Sequence, residues 1–211
     1  MEITWLGRSC FRLRGREATV IMDPCPPESG YRLGKPKCDI VTLSRCRDDG
    51  YSWVDGVSWA NGEHIFDAPG EYEVGGVLVR GIPTGRSEAG REMAFDVEID
   101  GIRILHLGLP SSSPTSAILK GIEDVDVLLM PVGGGISLSG SSVTDVMETI
   151  DPHIAIPMHY KTPVETAELD FLDAFLKETG LKPEPQEKLQ ITRSSVPEEL
   201  TVQVLSPKLP S

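Results

Sequence analysis

Apolar and polar positions alternate with a period of two through most of the first half of the chain. Residues 2–6, 10–14 and 18–22 are short runs with β-branched or aromatic members, separated by Gly7, Gly15 and Asp23-Pro24. They predict an antiparallel meander. Pro24, Pro26, Pro27 and Pro36 make 24–37 a loop. A buried strand is expected at 39–43, around Ile40-Val41-Thr42-Leu43. Runs at 57–60, 63–66, 72–74, 76–82, 93–99 and 102–106 continue the strand pattern. Asp100-Gly101 reads as a hairpin turn, and 84–92 as a polar loop.

From residue 113 the period changes. Ser113-Pro114 predicts the cap of a short helix over 114–121, and 125–130 a buried strand. Ser142 is placed to cap a helix whose apolar set Val143, Val146, Met147 and Ile150 follows helical spacing. Another strand is expected at 153–158. A helix begins at Thr166, with Leu169, Leu172, Phe175 and Leu176 inward, and stops at Gly180. Strands return at 189–193 and 200–205. No linker or composition shift divides the chain, so one domain over residues 1–211 is expected, with helices outside a pair of packed sheets. Ile3-Thr4-Trp5-Leu6-Gly7 is echoed by Ile104-Leu105-His106-Leu107-Gly108, as an internal duplication would leave.

The 211 residues are 39% hydrophobic and 25% charged, with net charge −12. That balance gives no electrostatic pull toward nucleic acid or anionic membrane, and no apolar run approaches the roughly 20 residues of a membrane helix. The chain starts on a strand-like run and not on a signal peptide, so a cytoplasmic protein is expected. Cys10, Cys25, Cys38 and Cys46 show no Cys-x-x-Cys spacing. Free thiols are expected in a reducing compartment, with a Cys25–Cys38 bridge or a cysteine-based metal site as alternatives.

The densest charge follows the strand at 39–43, in Ser44-Arg45-Cys46-Arg47-Asp48-Asp49-Gly50. A charged loop at the end of a buried strand is where an α/β-type domain keeps its chemistry.

Several segments together resemble one family: Ile3-Thr4-Trp5-Leu6-Gly7-x-Ser9-Cys10-Phe11, Met22-Asp23-Pro24, Ala68-Pro69-Gly70-Glu71-Tyr72-Glu73-Val74-Gly75-Gly76, Gly81-Ile82-Pro83, His106-Leu107-Gly108, Pro131-Val132-Gly133-Gly134-Gly135 and Ile156-Pro157-Met158-His159-Tyr160-Lys161-Thr162-Pro163. Their order and spacing are similar to those of the metallo-β-lactamase-fold hydrolases, in the branch of ascorbate-6-phosphate lactonase-like and other zinc-dependent hydrolases. The resemblance covers nearly the whole chain. It implies an αββα four-layer sandwich and a zinc centre held mainly by histidines, which would generate hydroxide for hydrolysis. The ligand loop of that family reads His-x-His-x-Asp-His. Here Arg45 and Arg47 stand at the first two histidines, Gly50 at the last, and only Asp49 matches. Arg8 stands at another histidine position, Leu109 at the bridging aspartate, and 84–92 holds no histidine. His159 alone matches a histidine ligand.

Arginine has no lone pair to offer a metal and stays protonated. The expectation is therefore that metal and hydrolase activity are lost, so that no zinc or other cofactor is bound. The chain would be a binding or scaffold protein for a small anion over Arg8, Arg45 and Arg47. It could equally fill the cleft with arginines paired to Asp48, Asp49, Asp23 or Glu71. Asp49 and His159 complete the candidate ligand-binding cleft, His159 as a base or hydrogen-bonding group, or as a relic bonded to a carboxylate. His106 is expected in the core. Cys46 is a candidate reactive thiol facing His159, and Cys10, Cys46, Asp49 and His159 a candidate recruited metal site. Gly133-Gly134-Gly135 reads as a cleft rim. A homo-oligomer or a complex with an active paralogue is the expected assembly. The alternative reading is a hydrolase of a small, phosphorylated metabolite, dependent on metal or on a Cys/His pair.

Overall fold

The computed structural model describes residues 1–122 and 124–207. The first alternating runs pair as the expected antiparallel meander, β1 (Glu2–Gly7), β2 (Cys10–Arg14) and β3 (Thr19–Met22). β4 (Lys37–Thr42) and β5 (Ser58–Phe66) add parallel to β3. The two runs expected at 57–60 and 63–66 are thus one strand, continuous through Gly62.

A second sheet repeats this plan. β6 (Gly70–Val74), β7 (Val77–Ser87), β8 (Gly90–Ile99) and β9 (Ile102–His106) are antiparallel neighbours. After α1 (Ser116–Leu119), β10 (Val127–Pro131) pairs parallel to β9. After α2 (Ser141–Ile150), β11 (Ile154–Met158) pairs parallel to β10. Beyond α3 (Leu172–Thr179), β12 (Leu189–Gln190) returns to the first sheet beside β1, and β13 (Thr201–Val202) joins the second beside β11. Antiparallel strands, three in the first sheet and four in the second, lead into parallel ones. The strand that turns from one mode to the other is β3 in the first sheet and β9 in the second. The sequence echo therefore aligns β1 with β9, two strands that are not equivalent in topology.

The expected polar loop at 84–92 is instead the tip of the β7–β8 hairpin, and residues 92–97 are buried without a break. The strand continues through Glu92 because that carboxylate finds partners inside the protein. The buried set of α2 is the expected one, Val143, Val146, Met147 and Ile150. Its N-cap is Gly140, however, since the Ser142 hydroxyl donates back to Ser139 O. α1 is shorter than expected and is capped by Thr115, whose hydroxyl accepts from Ile118 N–H. α3 starts at Leu172 and not at Thr166, because Glu165 and Thr166 both bond to Arg8. Among the described residues no helix is long and apolar enough to cross a membrane.

The core lies between the sheets. Ile3, Trp5, Phe11, Val20 and Met22 from the first meet Phe95, Val97, Ile104 and Leu129 from the second in one buried cluster. Trp5 packs against Tyr160, and Phe11 edge-on against His106. Each such fully buried side chain contributes about 1.5–3 kcal/mol. A second cluster, with Leu6, Ile21, Tyr31, Val41 and Val57, holds the 24–36 loop on the outer face of the first sheet.

Candidate active site at the carboxyl ends of the parallel strands

Topology brings five strand ends together. Asp23 follows β3, Ser44 and Arg45 follow β4, His106 closes β9, Gly133 follows β10 and His159 follows β11. The carboxyl ends of parallel strands are where such sheets place their ligands. The backbone there is tight: Asp23 has φ 44 and His159 φ 53.

Asp23 is buried and accepts hydrogen bonds from the Ser44 amide and hydroxyl. Burial pushes its carboxyl pKa up, against the opposing pull of His106 and these bonds. His106 donates from Nε2 to Ser9 O (2.8 Å), and its Nδ1 accepts from Gly108 N–H (3.1 Å). Both nitrogens are satisfied and the proton is fixed on Nε2. His106 is the core residue its strand position predicted.

Arg45 is buried. Its Nη1 donates to Glu92 Oε1 (3.1 Å) and to Leu109 O (3.2 Å), its Nη2 to Ser87 Oγ, and its Nε to Asp48 Oδ2 (3.3 Å). Glu92 Oε2 accepts from the Ser111 amide and hydroxyl. A buried charge needs this full set of partners. Asp48 was foreseen as a partner of the arginines. Glu92 was missed because it falls in the segment read as a loop. The strand alternation of 93–99, extended backward, would have carried it into the sheet.

Arg8 sits in the β1–β2 turn with φ 50. Its Nη2 donates to Glu165 Oε1 and Thr166 Oγ1 (3.2 Å each), and its guanidinium lies 5.4 Å from the centre of the Tyr51 ring. Tyr51, in turn, meets His159 Nε2 through its hydroxyl at 2.8 Å. His159 is fully buried, and its Nδ1 has no hydrogen-bond partner. Its pKa is pushed down to about 3, first by burial and then by the charges of Arg8 and Arg45. It is a neutral imidazole at physiological pH. Burial raises the Tyr51 hydroxyl pKa, so it stays protonated. Neither Tyr51 nor Glu165 carried a sequence signal beyond closeness to Gly50 and to the Tyr160-Lys161-Thr162-Pro163 segment.

A cavity of about 600 Å3 opens beside this cluster, lined among others by Arg8, Ser29, Asp49, Gly50, Trp53 and Thr166. The structure thus gathers Arg8, Arg45 and His159 and puts Asp49, exposed, on the cavity wall. Arg47 does not join them: it is exposed and runs beside Gly90 at the hairpin tip. Cys46 packs against the outer apolar cluster with Leu6 and Leu43, so it does not face His159 as a nucleophile would. All four cysteines are free thiols. Among the described residues Glu71 pairs with none of the arginines of the cleft and lies exposed on β6.

A family model described as the beta-lactamase superfamily domain matches residues 2–159. This chain belongs to that superfamily. A UPF0173 protein of Pyrococcus furiosus is 30% identical over 189 residues, 81% of this chain and 89% of the relative. A protein of Archaeoglobus fulgidus named a UPF0173 metal-dependent hydrolase is 25% identical over 195 residues, 77% of this chain and 84% of the relative. A solved structure from Thermotoga maritima is provisionally described as a Zn-dependent hydrolase of the metallo-beta-lactamase superfamily. It is 30% identical, with a TM-score of 0.82 over 98% of this chain and 99% of that one. The superfamily's αββα sandwich is the architecture of this chain.

These relatives correct two expectations. A non-hydrolytic scaffold is the reading they oppose, because they are named or described as hydrolases. A lost metal is the second, because the same names carry a metal, and missing histidines at the resemblance positions do not establish its loss. A zinc centre takes four N, O or S ligands. Among the described residues no three His, Cys, Asp or Glu side chains are grouped to hold an ion. The positions of the absent histidines carry the Arg45 and Arg8 guanidiniums, and His159 Nε2 is engaged by Tyr51. The residues present in this arrangement do not fit a zinc centre, and the recruited set of Cys10, Cys46, Asp49 and His159 is not assembled either.

Proposed function

We propose that this superfamily member is a hydrolase of a small, oxyanion-bearing metabolite, bound at the carboxyl ends of the parallel strands. The relatives named hydrolases support the reaction class. The observation that carries the placement is His159: a buried, neutral imidazole whose Nε2 is held by Tyr51 and whose Nδ1 has no partner. Buried polar nitrogens are nearly always hydrogen-bonded, so this orphan sets the end of β11, beside the Arg8-lined cavity, apart from the rest of the core.

The chain's own residues have separable tasks in this reading. The adjacent cavity admits a small molecule, with the indole of Trp53 as an apolar wall. Arg8, anchored by Glu165 and Thr166, supplies a fixed positive charge near His159 and suits an oxygen-rich anionic group. Arg45 is spent on Glu92 and Asp48 and acts through its field, not as a free fork. The burial of His159 keeps bulk water from its ring. A cytoplasmic setting fits the free thiols.

The test is a hydrolysis screen of the purified chain against carboxylic esters, lactones and phosphomonoesters, run without added metal and with zinc, manganese or iron. Turnover of at least one class is expected. Absence of turnover in every arm contradicts the reading.

A further inference from the structure

We infer that the cavity between the 24–36 loop and the turn at 53–56 binds an aryl anion: an aromatic body seated against Tyr31, Leu33 and Trp53, with its carboxylate or phosphate met by Arg32 and Lys35. The cavity measures about 340 Å3, and no strand-end residue lines it. A space of about 150 Å3 takes one benzene ring, so there is room for two fused rings. The loop sorts its side chains here: Tyr31 and Leu33 are buried, whereas Arg32 and Lys35 are exposed. Tyr31 and Leu33 belong to the outer apolar cluster, and Trp53 packs against it. The site therefore has an apolar floor and a charged rim, the profile of a small-molecule pocket.

The walls are held in place. A Cβ on Gly56 would fall 2.4 Å from the Trp53 ring and 3.1 Å from Leu33, so the bare backbone at 56 lets the indole lie against it. Trp53 N–H donates to Pro24 O (2.9 Å), and the Tyr31 hydroxyl is bonded to Thr162. Lys35 has φ 52, directly after Gly34 at φ 70. That conformation is costly for a residue with a Cβ. It is pinned by Ser58, whose hydroxyl donates to Lys35 O and whose N–H donates to Pro36 O. The charges point the same way. The chain has 32 acidic and 20 basic residues, yet among the described residues neither Arg32 nor Lys35 forms an ion pair. Asp55 is the one carboxylate among the lining residues, against two cations. A guanidinium and an ammonium left unpaired in an acidic protein suit an anion from solution. Two aromatic rings and Pro27 in the lining favour a flat, rigid body over a flexible chain, which would lose rotamer freedom on binding.

The test reads binding and needs no turnover, so this site and the hydrolase reading can fail separately. The probe is 2-naphthoate, with acetate and 2-naphthylmethanol as its anionic and apolar halves. In calorimetric titration of the full chain, 2-naphthoate should bind at least about tenfold more tightly than either half. The double variant Arg32→Gln, Lys35→Gln changes only exposed side chains and should weaken 2-naphthoate binding about tenfold or more. Trp53 also lines the cavity beside Arg8, so Arg8→Gln separates the two cavities: its affinity for 2-naphthoate should match that of the parent chain. In the 15N-labelled chain the indole N–H signal of Trp53 should move with 2-naphthoate. That of the buried Trp5, bonded to Arg8 O, should stay. No binding of 2-naphthoate, equal binding of 2-naphthylmethanol, or full affinity in the double variant overturns the assignment. Loss of binding in a folded Arg8→Gln chain moves the ligand to the other cavity and overturns it too.

Discussion

Arg8 and Gly50 share one volume of space. A Cβ at position 50 would lie 2.9 Å from Arg8 Nη1 and 3.2 Å from Asp48 Oδ1. The resemblance puts histidines at both positions, where this chain has an arginine and a glycine. The guanidinium reaches Glu165 and Thr166 because nothing projects from residue 50. Gly50→Ala should displace it and destabilise the protein by about 1 kcal/mol. In an Arg8→Ala background the same change should be nearly neutral, so a double-mutant cycle by urea denaturation reads the coupling directly. Additive effects would contradict the shared volume.

The Arg45–Glu92 pair predicts a second asymmetry. Both side chains are almost fully buried. Arg45→Met leaves the buried Glu92 carboxylate without a counter-charge and should cost ~3–5 kcal/mol, whereas Glu92→Gln, with Arg45 still paired to Asp48, should cost less. The double variant should recover much of that loss, since an apolar filling need not be worse than a buried ion pair. Equilibrium denaturation of the four proteins checks the order.

A third prediction concerns pH. Folded His159 has a pKa near 3, against 6.5 for an unperturbed histidine. Between those values the unfolded chain binds a proton that the folded chain refuses. The stabilisation is complete above pH 6.5 and is lost as pH falls toward 3. From pH 7 to pH 4.5 this one group should remove roughly 2–3 kcal/mol. His159→Gln should lack that share of the acid sensitivity, and equal pH slopes in urea titrations would count against a buried neutral imidazole.

Gly7 predicts a fourth effect, on the fold itself. With φ 115 and the Tyr31 ring 2.2 Å from any Cβ, Gly7→Ala faces backbone strain and overlap together. Tyr31 also hydrogen-bonds Thr162 (2.6 Å) and so ties the 24–36 loop to the segment after His159. A loss of about 3 kcal/mol or more is expected in thermal or urea unfolding.

The strands were legible because the alternation of runs such as 10–14 and 102–106 reports directly on burial. What failed was the tip of the β7–β8 hairpin, where Arg86, Glu88, Arg91 and Glu92 hide a strand behind polar composition. Helix α3 was misplaced for a related reason: Glu165 and Thr166 look like a helix start but are claimed by Arg8, 157 residues away for Glu165. Of the site, His159, Arg8 and Arg45 could be found by their motifs. Tyr51 and Glu165 could not, since their roles come from long-range contacts that no local spacing records, and Glu92 needed the alternation of 93–99 carried backward. Arg47 shows the converse: of two arginines two residues apart, Arg45 is buried and Arg47 is exposed. The loss of metal and activity, inferred from substituted ligands, is opposed by relatives that carry both in their names.

The central claim is that hydrolysis is performed around His159. The direct measurement is kcat/KM of the parent chain and of His159→Gln, with fold checked by circular dichroism, on the substrate class that the screen finds. A loss of about 100-fold or more with the fold retained is predicted. Unchanged turnover in His159→Gln would place the chemistry elsewhere and contradict the account.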